Sequence, residues 1–561
     1  MEDISTGATL TGLELRWFLE MRRCWNADIS VYRDFVARYD ALISEPAETA
    51  KDNTLAVHHR QLGNRAYLEK RFVDALWQYN RSICFAENLS EHLGIGYANR
   101  SAIYYEIEEY EFALYNIDLA RKNHYPERLL PKLVAREANC KERIAGGHSK
   151  GTVPHSFLDI NVEVNPKIPF LAKGIGMKRY EKMGRGLVAE RDFNIGDVIL
   201  DEKSELCFVS FGRSFFSCCH CGSMFEKSLI PCPSCVAVMY CGEKCREDDF
   251  RTNHRFECCV ITKLWSVTAN NMMAMARLFF YGLTAFNDNV TEMMKYCMAN
   301  AAVGSNPLEL DLTNPNPLDV FKVLHQFKPN PEQDNSNLDH GLKLHAATYY
   351  SIFMKNPLVQ SIFRTKAQRN FMLRCLLIHG RVAKSLLLNQ GNESEGCQGI
   401  FSPIASLLNH SCDPNVTAQI DSGSIKVIVL RPIRKGDQIC TSCASAWWDE
   451  NGGTKFDFQC MCVVCDQGPE GAKWRKARNK VRSISRKAAR ELENIALGCL
   501  ETHELLMMQR MVQTLVRDGH YPGELFGEAM LDYYNTLYDV LRSENAKLNR
   551  AKALKCVPDS V

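Results

Sequence analysis

The stretch Gly399-Ile400-Phe401-Ser402-Pro403-Ile404-Ala405-Ser406-Leu407-Leu408-Asn409-His410-Ser411-Cys412-Asp413-Pro414-Asn415 decides the fold. Its first half is an apolar run that fits a short helix or a buried strand. It stops abruptly in Asn, His, Ser, Asp and Pro, which favour turns or present hydrogen-bonding groups. Burying such a polar block is unfavourable unless its groups are used. Around it lie 561 residues, 46% of them apolar, enough for three or four domains with large cores. A net charge of +2 argues against a whole-protein electrostatic grip on nucleic acid, though not against a local basic patch. The start, Met1-Glu2-Asp3-Ile4-Ser5, is acidic and lacks a basic region followed by an apolar one, and no run of about 18 apolar residues occurs. The expectation is a soluble protein of the cytoplasm, the nucleus or both, without a membrane segment. Thiols stay reduced there, so 24 cysteines at short, clustered spacings point to zinc rather than disulfides.

The densest cluster is Cys218-x2-Cys221, Cys232-x2-Cys235, Cys241-x3-Cys245 and His254-x3-Cys258, all within 41 residues. Ligands spaced this way reach one tetrahedral ion from a knuckle or a helical turn, and eight of them satisfy two zinc ions. The segment is too short and polar to build its own core, so metal would supply much of its folding free energy. Cys219 and Cys259 fall out of the spacing and read as bystanders. Further on, Cys460-x-Cys462-x2-Cys465 leaves a tetrahedral site one ligand short.

Before the cysteines, Leu62-Gly63-Asn64-x-x-Tyr67, Phe72, Ala75, Tyr79 is followed by Tyr97-Ala98-Asn99-Arg100-Ser101-Ala102, Tyr110, Ala113, Ile117. Aligning Ala75 with Ala113 gives a period of 38, the tetratricopeptide length of about 34 plus a small insertion near Asn88 to Leu93. A third helix, Leu129 to Ile144, would complete or cap the array; an ordinary pair of helical hairpins is the plainer alternative. Residues 1–55 show weak periodicity around Trp17, Phe18, Met21, Trp25 and Tyr32, a helix or two. Gly184-Arg185-Gly186-Leu187 and Phe193-x-Ile195-Gly196-Asp197-Val198-Ile199-Leu200 read as two short strands joined by a turn. Residues 261–384 are helical by pattern, with the Met272, Met273, Met275, Leu278, Phe279 stripe assigned to core.

Asn-His-Ser-Cys-x-Pro-Asn resembles the signature of SET-domain protein methyltransferases. With the preceding Ser-Leu-Leu, the Gly-x-Gly-Leu turn and the Tyr240-Cys241 to Cys258 tail, it is similar to the SET-and-MYND family, in its tetratricopeptide-bearing branch. The resemblance implies a multidomain α+β chain: an N-terminal helical segment (1–55), tetratricopeptide repeats (56–145), a β-rich SET domain (170–217 and 391–445) split by a MYND zinc finger (218–258) and a helical insert (259–390), a post-SET zinc segment (446–468) and a C-terminal helical domain (469–561). It implies Cys218, Cys221, Cys241 and Cys245 on one zinc ion, Cys232, Cys235, His254 and Cys258 on a second, and Cys412 joining Cys460, Cys462 and Cys465 on a third. It also implies S-adenosylmethionine against Gly184, Arg185, Gly186, Asn409, His410, the Cys443 position and Phe458. MYND fingers bind short proline-containing peptides rather than DNA.

Methyl transfer to lysine requires a neutral amine, and deprotonating a group of pKa about 10.4 at pH 7 costs about 4 to 5 kcal/mol. Family members place tyrosines where this chain has Cys443, in Ser442-Cys443, and Phe456. Cysteine is a weak donor of shorter reach and phenylalanine has no hydroxyl. Two functions therefore stand open: a protein-lysine methyltransferase acting on histone or non-histone protein, with a role in transcriptional regulation, or a SET-derived scaffold that binds partner proteins. In the repeats, Arg60 and Asn64, then Asn99, then Lys132 and Arg136 fall at matching positions of successive first helices. They resemble the dicarboxylate clamp that holds chaperone C-terminal peptides, the alternative being solvated charges on a concave face. Nine Lys or Arg residues between Lys473 and Arg490 read as a helix, either a solvated face or a patch for nuclear import or an acidic partner.

Overall fold

The computed structural model describes residues 27–38, 50–148, 159–181, 183–204, 206–223, 229–267, 272–299, 306–326, 336–386, 388–390, 398–421, 423–443, 446–449, 460–497 and 504–554. Helix α1 (Ile29–Arg38) is followed by two helical hairpins and a closing helix: α2 (Asn53–Leu68), α3 (Phe72–Phe85), α4 (Glu91–Glu106), α5 (Tyr110–Lys122) and α6 (Leu130–Ala145). The 38-residue spacing is visible in the backbone, since α2 and α4 begin at 53 and 91 and α3 and α5 at 72 and 110. Asp52 and Ser90 cap α2 and α4, accepting from Thr54 and Leu55 and from Leu93. Lys70 and Glu108, also 38 apart, turn the chain with positive φ. Tyr32 on α1 is buried against His340, far from the hairpins in sequence; Trp17, Phe18, Met21 and Trp25 lie outside the described residues.

The β structure comprises β1 (Val164–Asn165), β2 (Ile168–Ala172), β3 (Ile175–Tyr180), β4 (Gly184–Ala189), β5 (Val198–Lys203), β6 (Cys207–Val209), β7 (Ile230–Pro231), β8 (Met239–Tyr240), β9 (Leu388–Gln390), β10 (Gln398–Ile400), β11 (Asn409–His410), β12 (Val416–Asp421), β13 (Ser424–Val429) and β14 (Gln438–Thr441). They form sheets of order β1-β2-β5-β13-β12, β6-β10-β9 and β11-β14-β4-β3, with β7 and β8 paired apart. The first of these begins at Val164, ahead of the 170 boundary drawn from the sequence. β4 and β5 are not hairpin partners: β4 pairs with β3 and β14, β5 with β2 and β13. Inward residues such as Ile168, Leu187, Leu200, Ile404, Leu407, Val427 and Ile439 make the core between the sheets.

Between β6 and β9 run α7 (Glu243–Asp249) of the cysteine-rich segment and the insert helices α8 (Met273–Ala285), α9 (Val290–Ala299), α10 (Pro317–His325), α11 (Ser336–Phe353) and α12 (Lys366–Leu386), with short helices between them. The methionine stripe on α8 is buried as core, continuous with the hairpins and the cysteine-rich segment. The chain ends in α13 (Pro469–Arg478), α14 (Arg486–Leu497), α15 (Glu504–Arg517) and α16 (Glu524–Leu554). Leu505, Val512, Leu515 and Phe526 of the last two pack on Val198 and Ile428 of the sheet. The basic stretch is not one helix, because residues 479–485 are not helical and Ser485 caps α14 from Ala488 N. None of the described helices is long and apolar enough to cross a membrane.

Candidate functional site

The 399–415 stretch leaves β10, makes a single 3-10 turn at Ala405–Leu407 and enters β11. Glu202 on β5 fixes that turn. Its carboxyl is 4% exposed and accepts from Ser402 Oγ and from the backbone of Ala405 and Ile404. Burial pushes it up to about 7 against the pull of those hydrogen bonds. The folded pKa lies above the unfolded one, so the stability tied to this group is complete below pH about 4.5 and declines as pH rises through about 7. At about 1.4 kcal/mol per pH unit the loss is about 3 kcal/mol, and Glu202→Gln should flatten it in thermal melts between pH 5 and 8.

β11 runs parallel to β14, with Asn409 opposite Cys440 and His410 opposite Thr441. Asn409 Nδ2 donates to Arg185 O at 3.2 Å across the top of β4. It can do so because residue 186 is glycine: a Cβ there would sit 2.4 Å from Asn409 Nδ2 and 2.9 Å from Gln438 Nε2. Gly184 has φ +72°, and a Cβ there would meet nothing within 4 Å, which leaves open space on that side of the strand. His410 Nδ1 accepts from Cys443 N at 3.1 Å, so the neutral ring carries its proton on Nε2, 3.4 Å from Cys412 Sγ. Burial lowers the His410 pKa, in keeping with a neutral ring.

Cys412, Cys460, Cys462 and Cys465 bring four sulfurs together, and Cys412 N donates to Cys462 Sγ at 3.4 Å. Two further clusters gather Cys218, Cys221, Cys241 and Cys245, and Cys232, Cys235, His254 and Cys258, with the ligand atoms of each within 4.8 Å of one another. These donor sets suit tetrahedral zinc, the soft-ligand ion of closed structural sites. Cys219 lies outside the clusters and is buried; Cys259 lies outside them and is exposed.

Asp413, next to Cys412, ties the site to the C-terminal helices. It is 4% exposed and accepts from Trp447 Nε1 at 2.9 Å, from Tyr521 Oη and from Arg431 Nη2 at 3.4 Å. Burial disfavours the Arg431 charge, but Asp413 beside it holds the guanidinium pKa above its usual value. Trp447 stacks on Phe526 of α16.

Cys443 is exposed just beyond β14, beside Ser442. Phe456 and Phe458 lie outside the described residues. In the hairpins, Asn64 Oδ1 accepts from Asn99 Nδ2 at 2.9 Å and from Tyr79 Oη at 2.8 Å. Arg136 donates to Ala98 O and Ser101 Oγ, both at 2.9 Å, and Arg60 Nη1 is 3.4 Å from His92 Nδ1. Lys132 is exposed. The five residues thus fall on α2, α4 and α6, with the two amides bound to each other and Arg136 bound to α4.

Sequence reasoning passed over two buried arginines. Arg277 on α8, 4% exposed, donates from Nε and Nη2 to Glu257 at 3.0 and 2.9 Å and from Nη1 to Cys207 O and Cys219 O, both at 2.8 Å. Asp249 lies 3.7 Å away. Arg100 on α4, fully buried, donates to Asn116 and Asn80 of the neighbouring helices and to Leu229 O of the cysteine-rich segment. An arginine inside an apolar helical stripe was the available signal.

Residues 184–444 match the model of the SET domain. The chain is 24% identical over 432 residues to Protein-lysine N-methyltransferase SMYD4 of Danio rerio, covering 68% of this chain and 57% of that protein. It is 20% identical to the protein of the same name from Homo sapiens, covering 84% of this chain and 76% of that one. With a SET and MYND domain-containing protein of Dictyostelium discoideum it shares 24% identity over 318 residues, 52% of this chain and 82% of the other. The chain thus spans 57% of the zebrafish protein's length. Together with Asn409 and His410 set beside Gly186 and the three cysteine clusters, these likenesses show that the chain carries a SET domain and is similar to SET and MYND domain-containing proteins.

Proposed function

We propose that the protein is an S-adenosylmethionine-dependent protein-lysine N-methyltransferase acting on histone or non-histone protein in the cytoplasm, the nucleus or both, with a role in transcriptional regulation. The observation that carries this is the placement of Asn409 on β11 against Gly186 and next to Gly184, whose missing side chain leaves open space for a ligand. Bound there, the cofactor supplies an electrophilic methyl group. Asn409 and the backbone of Arg185 and His410 would hold it, because both ring nitrogens of His410 already have protein partners. Zinc on Cys412, Cys460, Cys462 and Cys465 would hold the end of the segment that carries Phe458, the residue the resemblance assigns to the adenine. The lysine amine must be neutral to react, so excluding water from the site is the main task of the surrounding residues.

Cys443 favours a second reading, because no tyrosine occurs between Thr441 and Tyr521, and the Tyr180 hydroxyl lies against Leu187 O at 3.4 Å. On that reading the SET domain is a scaffold for partner proteins. Calorimetric titration with S-adenosylmethionine beside radiolabelled methyl transfer separates the two. Binding with transfer to lysine supports the enzyme, binding without it supports the scaffold, and absence of binding would remove the cofactor site from both.

The hairpins fit the tetratricopeptide reading and the eight-ligand segment the MYND reading, with a proline-containing peptide as the ligand of the latter. The row of Arg60, Asn64, Asn99, Lys132 and Arg136 would hold the carboxylates of an acidic chaperone C-terminal peptide. Lys132→Ala or Arg136→Ala should weaken such a peptide by about 1 to 3 kcal/mol, the scale of a charge-assisted contact. Fluorescence anisotropy with free and amidated peptides checks it: equal binding of the amidated form leaves the groove without this role.

A further inference from the structure

The basic stretch serves neither the SET site nor the hairpins, and its break falls at one exposed segment. Between α13 and α14, residues 480–485 are not helical; Val481 is 95% and Ile484 39% exposed, and Ser483 and Ser485 are both on the surface. From Lys473 to Arg490 there is no Asp or Glu, while Lys480, Arg482, Arg486 and Lys487 flank the two serines. The segment lies against the 518–523 loop between α15 and α16. Ser485 N donates to Asp518 Oδ2 at 3.0 Å, Ser485 Oγ accepts from Ala488 N at 3.1 Å, and Nη1 of the half-buried Arg482 is so near Gly523 that a Cβ there would sit 3.2 Å from it. The same Asp518 oxygen is 3.1 Å from Nε2 of His520, which is buried. The next residue, Tyr521, donates to Asp413, and Arg431 lies over its ring at 4.9 Å. A line of contacts thus runs from an exposed serine to the residue beside Cys412.

We propose that Ser485 is a phosphorylation site for a basophilic protein kinase, and that the phosphate unfastens this segment from the 518–523 loop. Such a kinase has an acidic substrate groove and selects a serine by the cations that precede it in extended chain. Arg482 stands three residues before Ser485 and Lys480 five, in a stretch already free of helix and of acidic residues. When the segment lifts from the loop, Arg482 leaves Gly523 and Ser485 leaves Asp518, so one opening frees both the recognition residue and the acceptor. Ser483 shares the basic setting but is not the residue bound to Asp518.

The γ-phosphoryl group of ATP passes to Ser485 Oγ: the bond from its phosphorus to the ADP oxygen breaks, the Oγ–P bond forms, and the hydroxyl proton goes to the kinase's catalytic base. A group carrying about −1.5 to −2 charges then stands where a neutral hydroxyl stood. Asp518, ionised at neutral pH, repels it across the contact that has just opened. Arg486 beside it and the first turn of α14 attract it, so the helix keeps its start while the segment does not return to the loop. The loop that carries Tyr521 loses a tether, and with it part of the C-terminal helices' hold on Asp413.

The test uses the full-length, zinc-loaded protein with the catalytic subunit of cyclic-AMP-dependent protein kinase and magnesium ATP, followed by peptide mapping and hydrogen exchange. Phosphate should be found on Ser485, and Ser485→Ala should lose that label with Ser483 intact. In the phosphorylated protein the amides of residues 480–490 and 515–524 should exchange about ten-fold faster than before, with those of the hairpins unchanged. Asp518→Asn keeps an acceptor for Ser485 N but removes the charge, so its exchange should respond to phosphorylation by less than about two-fold. Ser485 left unmodified while other serines take phosphate would overturn the proposal. So would exchange that rises equally in Asp518→Asn, or exchange that phosphate on Ser485 leaves unchanged, a measurement that needs no variant.

Discussion

Stripping zinc with a strong chelator under reducing conditions is expected to unfold residues 218–258, a loss on the order of 10 kcal/mol per ion. The regular structure of that segment is slight, the two-residue strands β7 and β8 and α7, which a π-turn at Phe250–His254 and a short α-turn at Arg255–Glu257 continue. Its buried residues, Leu229, Val236, Val238, Tyr240 and Phe256, belong to a core shared with the hairpins and the insert rather than one of its own. Without metal, eight ligands crowd together with nothing to bind, and the segment's hold on Arg100, through Leu229 O, and on Arg277, through Cys219 O and Glu257, goes with it. Metal analysis should give three zinc ions per chain, and circular dichroism during chelation should show melting of the hairpins together with the segment. A ratio near two would remove the site at Cys412, Cys460, Cys462 and Cys465. An unchanged melt after complete zinc removal would contradict the shared-core argument.

Replacing Arg277 by Met should cost about 3 to 5 kcal/mol, the usual penalty for stranding a buried charge. Arg277 meets Glu257 in a two-pronged contact and lies against Asp249; both carboxylates are fully buried. Asp249 also accepts from Tyr240 Oη at 3.0 Å, and His220 lies 3.9 Å away. Burial works against the Asp249 charge, yet Arg277 and His220 hold its pKa below the ordinary value. In Arg277→Met the carboxylates lose their cation and the carbonyls of Cys207 and Cys219 lose a donor. Denaturant unfolding measures the loss. The double variant Arg277→Met/Glu257→Gln should recover part of it, and a single variant within 1 kcal/mol of the parent would show that the pair carries little.

Much of this was legible in the chain because the chemistry is local. Ligand spacing places Cys218 with Cys221 and Cys232 with Cys235 before any tertiary structure is known, and the match of Ala75 to Ala113 fixes the hairpins through side-chain size alone. The Asn409-His410 pair could be marked because a polar block after an apolar run demands a use. What escaped notice depends on partners distant in sequence. Asp413 meets Tyr521, 108 residues on, and Arg100 meets Leu229, 129 residues on. Arginine is ordinarily a surface residue, and for Arg100 and Arg277 the only local sign of burial is the apolar helical stripe around each. The break in the basic stretch could have been found: Asn479, Ser483 and Ser485 interrupt it, and serine before Arg486 is a helix-starting signal. Adjacency in sequence suggests β4 and β5 as partners, whereas each strand's partners come from both ends of the domain.

That pairing also bears on how the protein is made. β4 finds β14 through Val188 and Gln438, and β5 finds β13 through Leu200 and Val427. A ribosome adding about 5 to 20 residues per second needs roughly 12 to 50 seconds to travel from one partner to the other. Throughout that interval the early strands present open edges, while the hairpins and the cysteine-rich segment, whose contacts are nearer in sequence, can already close. Synthesis therefore leaves a half-built domain exposed to the cell for tens of seconds, so its yield should respond to translation speed and to chaperone supply more than to the stability of the finished fold.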